Sequence, residues 1–354
     1  MIKLIGEKNY DRLMRTVVEP GLQAMREEID MPLSGGGTLH AEVYNRYDAR
    51  RAVVMLHGYT ESAEKLREMA WYFIANGYSV FSYDHRGHGH SVRVLEDTSV
   101  THVERFEDYL SDLEEFMERI VRPRMGSAPL YLYAHSMGGA VGALALMRHP
   151  DWFVRAVLTS PMIAASTKPF PPAAAKAIVS LACRMGKGKQ RAFVGKPYSA
   201  EGETFERACS TGPARFAYYK EKRARNPHLQ NCAPTYNWLR EALVVSDALL
   251  DPAQLALIRT PLLLCQAKQD DVVLLPEQEK FVSLVRGARL RVFDAKHELY
   301  ISHDEVLAEY VKAVLDYLAQ PVEQEVCPQE EAPAAEAAEE AADAPAQEPA
   351  QEEE

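Results

Sequence analysis

No run of about 18 consecutive apolar residues, the length a membrane-spanning helix requires, occurs in this chain of 354 residues. The opening stretch, Met1 to Tyr10, is mixed and charged. Neither a signal peptide nor a spanning helix is therefore expected. Cysteine is scarce: Cys183, Cys209, Cys232, Cys265 and Cys327 stand alone, without disulfide or metal spacing. An odd count and no export signal predict a reducing cytoplasm, with each cysteine a lone thiol.

Charge of one sign is missing in two places. Residues 161 to 200 hold no Asp or Glu, but contain Lys168, Lys176, Arg184, Lys187, Lys189, Arg191 and Lys196. From Pro321 to Glu354 there are twelve acidic residues and no Lys or Arg. The net charge of -11 is thus a property of the tail; without its twelve acids the body has 40 basic residues against 39 acidic. The tail is rich in Ala, Glu, Pro and Gln and has no apolar stripe to bury, so disorder is expected over 321–354.

An apolar content of 47% suffices for one large core and a subdomain. Apolar runs at Ala52 to Leu56, Tyr78 to Tyr83 and Leu130 to His135 read as buried strands, with helical stretches near 61–75 and 104–122 between them. Val154 to Thr159, Pro261 to Gln266 and Arg289 to Phe293 continue the series. This alternation predicts an α/β fold: a mostly parallel central sheet with helices on both faces. Reactive groups in such folds sit at the carboxyl ends of strands.

At one such end stands Ala134-His135-Ser136-Met137-Gly138-Gly139, reading as strand, sharp turn, helix, with Ser136 at the tip. Small neighbours let such a turn close around a strained serine. A serine nucleophile needs a base, and the base an orienting carboxylate. Asp270 and Asp271 follow one later strand; His297 follows the next, and His303 lies further on. Asp270 is the preferred acid, because Asp271 reads as a solvated loop charge. His297 is the preferred base: it lies nearer its strand end, whereas His303 reads as the start of the last helix. The histidines of Asp84 to Ser91 read as loop structure, since no clustered carboxylate or cysteine accompanies them. No metal and no cofactor are expected.

Together with His57-Gly58, Asp84-x-Arg86-Gly87-x-Gly89-x-Ser91 and His297-Glu298, these motifs resemble the α/β-hydrolase superfamily. Within it the chain is similar to the monoacylglycerol lipase and bacterial lysophospholipase group, over roughly residues 38 to 320. Thr235 to Glu241 resembles the end of the cap in bacterial lysophospholipases. Ala134 replaces the first glycine of the elbow, and Asp271 stands where the group often has arginine. The resemblance implies that Ser136 attacks an ester carbonyl, that His297 moves the proton, and that Asp270 orients the imidazole. It implies oxyanion donors at the backbone N–H groups of Tyr59 and Met137. The substrate class implied is a single-chain lipid, a lysophospholipid ahead of a monoacylglycerol. A general carboxylesterase, a carbon–carbon hydrolase and a non-catalytic binding protein are the other readings.

The long stretch 161–250 breaks the alternation and reads as an inserted helical cap. Its seven cations interleave with Phe170, Ile178, Val179, Leu181, Phe193 and Val194. That pattern predicts a lipid head group or peripheral contact with the anionic inner membrane face. No reading motif for nucleic acid accompanies it, and no obligate protein partner is expected. The expected division is an extension over 1–37, a core of 38–160 and 251–320, the cap, and the tail. Lys8 to Ile29 reads as a helix with apolar spacing Leu13, Val17, Leu22 and Met25, packed on the body or plain surface.

Overall fold

The computed structural model describes residues 4–46 and 48–321. The expectation for the acidic tail falls outside them from residue 322 onward.

Among the described residues ten strands form in chain order. They are β1 (Arg26–Pro32), β2 (Thr38–Tyr44), β3 (Ala52–Leu56), β4 (Ser79–Tyr83), β5 (Val100–Thr101), β6 (Leu130–His135), β7 (Arg155–Thr159), β8 (Ala233–Pro234), β9 (Leu262–Ala267) and β10 (Arg289–Phe293). Eight build one sheet in the order β1-β2-β4-β3-β6-β7-β9-β10. From β4 to β10 all neighbours are parallel; β1–β2 and β2–β4 are antiparallel. The central strands β3, β4, β6 and β7 are buried at every position, and their mostly apolar sequences are interrupted only by Ser79, Ser82, His135, Arg155 and Thr159.

Two apolar clusters cover the sheet. One holds Leu110 and Leu113 of helix Glu107–Phe116 and Val141 and Leu146 of helix Met137–Arg148. The other holds Tyr72 and Phe73 of helix Arg67–Ala75 and Val311 and Leu318 of helix Asp304–Ala319. The fold is the mostly parallel α/β arrangement that the strand–helix alternation predicts and that the resemblance to α/β-hydrolases implies.

The amino-terminal boundary needs correction. Residues 1–37 were expected outside the core, yet β1 pairs with β2 from Arg26↔Tyr44 to Pro32↔Thr38. The preceding helical stretch, 10–23, buries Tyr10, Met14, Val18 and Leu22 against Tyr72, Tyr310 and their neighbours. Val17 and Met25 are exposed, so of the expected spacing only Leu22 faces the core squarely. The buried face runs at strict intervals of four, meeting the expected spacing at Leu22 and falling one residue after it at Met14 and Val18.

Between β7 and β9 lie helices Pro172–Ala182, Pro213–Arg225 and Tyr236–Ala248. The segment is tied to the core at Thr235 to Glu241. Just ahead of it, β8 pairs with β5. The Thr235 hydroxyl caps its helix by accepting from Trp238 N at 3.1 Å. Asn237 Nδ2 donates to the carbonyls of Val103 and Glu104 at 2.6 and 3.0 Å. Trp238 Nε1 donates to the Tyr109 hydroxyl at 3.0 Å, and Glu241 accepts from Phe106 N at 3.0 Å. The stretch singled out by resemblance is thus the fastening of this segment to the loop after β5.

Candidate active site

Strand β6 ends at His135, and helix Met137–Arg148 begins one residue later. The turn between them consists of Ser136 alone, at φ 52° and ψ -116°. A side chain other than glycine is rarely held there, and such strain persists only where the surroundings over-determine it. The surroundings are tight. A Cβ on Gly138 would stand 2.6 Å from the His57 carbonyl, and one on Gly139 2.7 Å from Pro161. The helix start therefore packs directly on the end of β3.

Three side chains from three strand ends meet. His297, after β10, and Asp270, after β9, lie 2.6 Å apart between Nδ1 and Oδ2. A carboxylate can only accept, so Nδ1 carries the proton and Nε2 is left as an acceptor. The Ser136 hydroxyl donates to that Nε2 at 2.8 Å. Asp270 is fixed through its other oxygen, which accepts from Val272 N at 2.9 Å and Val273 N at 3.2 Å. Its side chain is fully shielded from solvent. Asp271 is exposed and makes no such contact. His303 caps the last helix, with its amide on Thr211, and is not part of the group.

The loop after β3 lies over the serine. A Cβ on Gly58 would come within 3.0 Å of Ser136 Cβ. The next residues, Tyr59 and Thr60, carry the chain across, Thr60 at φ 62°. Neither the Tyr59 amide nor the Met137 amide donates to any group among the described residues. Two unengaged N–H groups flanking a serine can stabilise a developing oxyanion, each worth about 3 kcal/mol of barrier. The Tyr59 ring is held by Trp238, 4.1 Å away.

A charged cluster behind this loop escaped the sequence reading. Glu61 accepts from Gly58 N at 2.6 Å and from the Tyr300 hydroxyl. Lys65 bridges Glu61 at 3.1 Å and Glu298 at 2.5 Å. Burial opposes ionisation of Glu61, but Lys65, His135, the Tyr300 hydroxyl and the Gly58 amide outweigh it and hold its carboxyl well below the usual range. The sequence signal was a glutamate three residues after Gly58, the reach of one turn. Burial pushes the His135 imidazole down to about 3, so it stays neutral beside His297. His57 donates from Nδ1 to the Gly58 carbonyl at 2.7 Å and accepts from His85 N at 2.9 Å.

The Asp84 to Ser91 loop is held by bonds within itself and to its neighbours. Asp84 accepts from Ala63 N and His90 N, both at 2.8 Å. Arg86 forks onto Asp112 at 2.6 and 2.7 Å. Among the described residues one group of donors lies close enough to share an ion: Glu28, His40 and Glu42. Arg26 and Arg67 already neutralise its carboxylates, and it belongs to β1 and β2 rather than to the serine.

The seven cations do not act as one patch. Lys176 pairs with Asp247 at 2.6 Å, Lys189 with Glu104 at 2.8 Å and Arg191 with Asp97 at 2.5 Å. Lys168, Arg184, Lys187 and Lys196 are exposed, with no ion pair among the described residues. Beside them an apolar cavity of about 210 Å³ is lined by Ala165, Phe170, Ile178, Phe193, Leu239 and Leu243. Its wall is pinned to the turn after Asp270 by Ser166 N on the Val272 carbonyl at 2.9 Å. No helix among the described residues is long and apolar enough to cross a membrane.

Residues 47–303 match the family model "Serine aminopeptidase, S33". Lysophospholipase L2 of Escherichia coli (strain K12) is 32% identical over 75% of this chain and 80% of its own length. Monoacylglycerol lipase of Mycolicibacterium smegmatis is 34% identical over 38% of this chain and 47% of its own. A soluble variant of monoglyceride lipase from Saccharomyces cerevisiae shares the fold, with a TM-score of 0.65 at 17% identity over 83% of this chain and 95% of that one. A carboxyl esterase from Bacillus coagulans does so with a TM-score of 0.67 at 16% identity, over 83% and 97%. With a family model spanning most of its length and such a relative beside it, the chain belongs to the serine aminopeptidase S33 family of α/β-hydrolases and is a hydrolase.

Proposed function

We propose that this hydrolase is a lysophospholipase that cleaves the acyl ester of a single-chain phospholipid through Ser136. The observation that carries the reading is the unbroken relay from Asp270 through His297 to the Ser136 hydroxyl, under two unengaged amides. Ser136 Oγ attacks the ester carbonyl as His297 Nε2 takes its proton, with Asp270 stabilising the imidazolium. The carbonyl oxygen becomes an oxyanion facing the amides of Tyr59 and Met137. Collapse expels the glycerol oxygen, which takes the proton from His297. Water, deprotonated by the same imidazole, then releases the fatty acid and restores the serine. The apolar cavity beside Leu239 and Phe170 suits the acyl chain.

The similarity to lysophospholipase L2, which spans most of both chains, favours a lysophospholipid over a monoacylglycerol. Exposed Leu181, Met185, Phe193 and Val194 among the unpaired cations support peripheral contact with an anionic lipid surface. The test compares fatty-acid release from lysophosphatidylethanolamine, monoacylglycerol and nitrophenyl esters of increasing chain length. Lysophospholipid should be the best substrate, and rate should rise with acyl length. Equal rates on short and long esters would assign the chain to general carboxylesterases instead.

A further inference from the structure

A second cavity, of about 300 Å³, is lined by Thr60, Lys65, Glu203, Arg207, Arg223 and Glu298. Two of these are chain neighbours of the candidate site: Thr60 follows Tyr59, and Glu298 follows His297. The wall that carries Glu203 and Arg207 is fastened to the same loop. Glu298 N donates to the Cys209 carbonyl at 2.8 Å, and Lys296 Nζ to the Ala208 carbonyl at 3.0 Å. The cavity is therefore walled by chain neighbours of the candidate site and shares no lining residue with the apolar pocket.

Its charges are mixed, and most are committed. Lys65 is held between Glu61 and Glu298. Arg223 donates to the carbonyls of Leu229 and Asn231 and to Glu203 Oε1 at 2.8 Å. Two groups remain. Glu203 Oε2 is shielded from solvent, and its neighbour among the described residues is the Tyr198 hydroxyl, which has no other partner. Arg207 is exposed, and no hydrogen bond or ion pair engages its guanidinium among the described residues. One open guanidinium and, four residues before it, one carboxylate whose outer oxygen meets only a tyrosine hydroxyl among the described residues suit a ligand that carries an anion and a cation close together. A guanidinium takes a phosphate through paired N–H donors. A carboxylate oxygen takes an ammonium N–H. The glycerol of a neutral lipid offers neither charge.

We propose that this cavity, rather than the basic run from Lys168 to Lys196, binds a zwitterionic phosphate-ester head group, with its phosphate on Arg207 and its ammonium on Glu203. The proposal rests on the lysophospholipase reading and deepens it. The run is the weaker candidate because three of its seven cations are already paired with Asp247, Glu104 and Asp97.

The experiment uses the full chain and its Arg207→Ala and Glu203→Gln variants. kcat/KM is measured on lysophosphatidylethanolamine, lysophosphatidylglycerol and monoacylglycerol of one acyl length. Arg207→Ala should lower the ratio of each lysophospholipid to monoacylglycerol about tenfold, the scale of a charge-assisted hydrogen bond. Glu203→Gln should lower only the ethanolamine ratio, because the glycerol head group has no ammonium. Free glycerophosphoethanolamine should also compete with a nitrophenyl ester on the wild type, about tenfold less on Arg207→Ala. That arm reads the cavity with a soluble head group, apart from any lipid. Ratios within about twofold of wild type for Arg207→Ala would overturn the assignment, as would a fall seen only when Lys168, Arg184, Lys187 and Lys196 are neutralised. Failure of the parent reading looks different: the wild type would then cleave nitrophenyl esters and monoacylglycerol but not lysophospholipid.

Discussion

Asp270 and Asp271 are adjacent, chemically identical and separated only by geometry. One is shielded, holds two backbone amides and faces His297; the other points to solvent. Asp270→Asn should therefore lower kcat about 10³–10⁴-fold by leaving the imidazole in the wrong tautomer. Asp271→Asn should change it less than about twofold; steady-state kinetics on one ester settles both. The candidate triad of Ser136, His297 and Asp270 was legible in sequence because each residue follows a strand that ends at the same sheet edge. Glu61 was not, because its importance comes from Lys65, Tyr300 and the Gly58 amide converging on it in space. Its depressed carboxyl gives a pH prediction. The stability it contributes is complete above the ordinary glutamate range, near pH 4.5, and is lost as pH falls toward the folded value. Glu61→Gln should cost about 1–3 kcal/mol at neutral pH by leaving Lys65 to Glu298 alone and weakening the hydrogen bonds from Gly58 and Tyr300. It should also flatten the fall in stability below about pH 4.5. Urea unfolding from pH 3 to 7 checks this, and parallel slopes for variant and wild type would contradict it.

Among the elements, those with a single buried face or two were read well and the polar ones were not. Strands β3, β6 and β9 are buried at every position, so their sequences are apolar but for His135 and Gln266. Strand β1, Arg-Glu-Glu-Ile-Asp-Met-Pro, buries only Met31 fully and closes the sheet at its edge. Nothing in its composition distinguishes it from a loop; its pairing with β2 and the charge pairs from Arg26 hold it. In the helical stretch before it, Leu22 is fully buried and Val17 is 46% exposed. Leu22→Ala should thus cost about 2–5 kcal/mol. Val17→Ala should stay within about 0.5 kcal/mol. Comparable costs in chemical denaturation would restore the register first read from the spacing.

For the molecule as a whole, charge must be read after folding. The window 161–200 has no acid of its own, yet the fold delivers Asp97, Glu104 and Asp247 to it from distant parts of the chain. Linear charge counting overstated that patch for this reason alone. In the tail, twelve acids meet no base within the segment. Removing residues 321–354 would take the net charge from -11 to about +1, since twelve negative charges leave with them. Binding to anionic vesicles should then strengthen at low salt, and the gain should vanish at about 1 M salt, where screening is nearly complete. Co-sedimentation at two ionic strengths reads this directly. The central claim is tested most directly by a fluorophosphonate, which reacts only with an activated serine. Mass spectrometry of the labelled protein should place a single adduct on Ser136, absent after His297→Ala. An unlabelled wild type, or an adduct on another residue, would contradict the account.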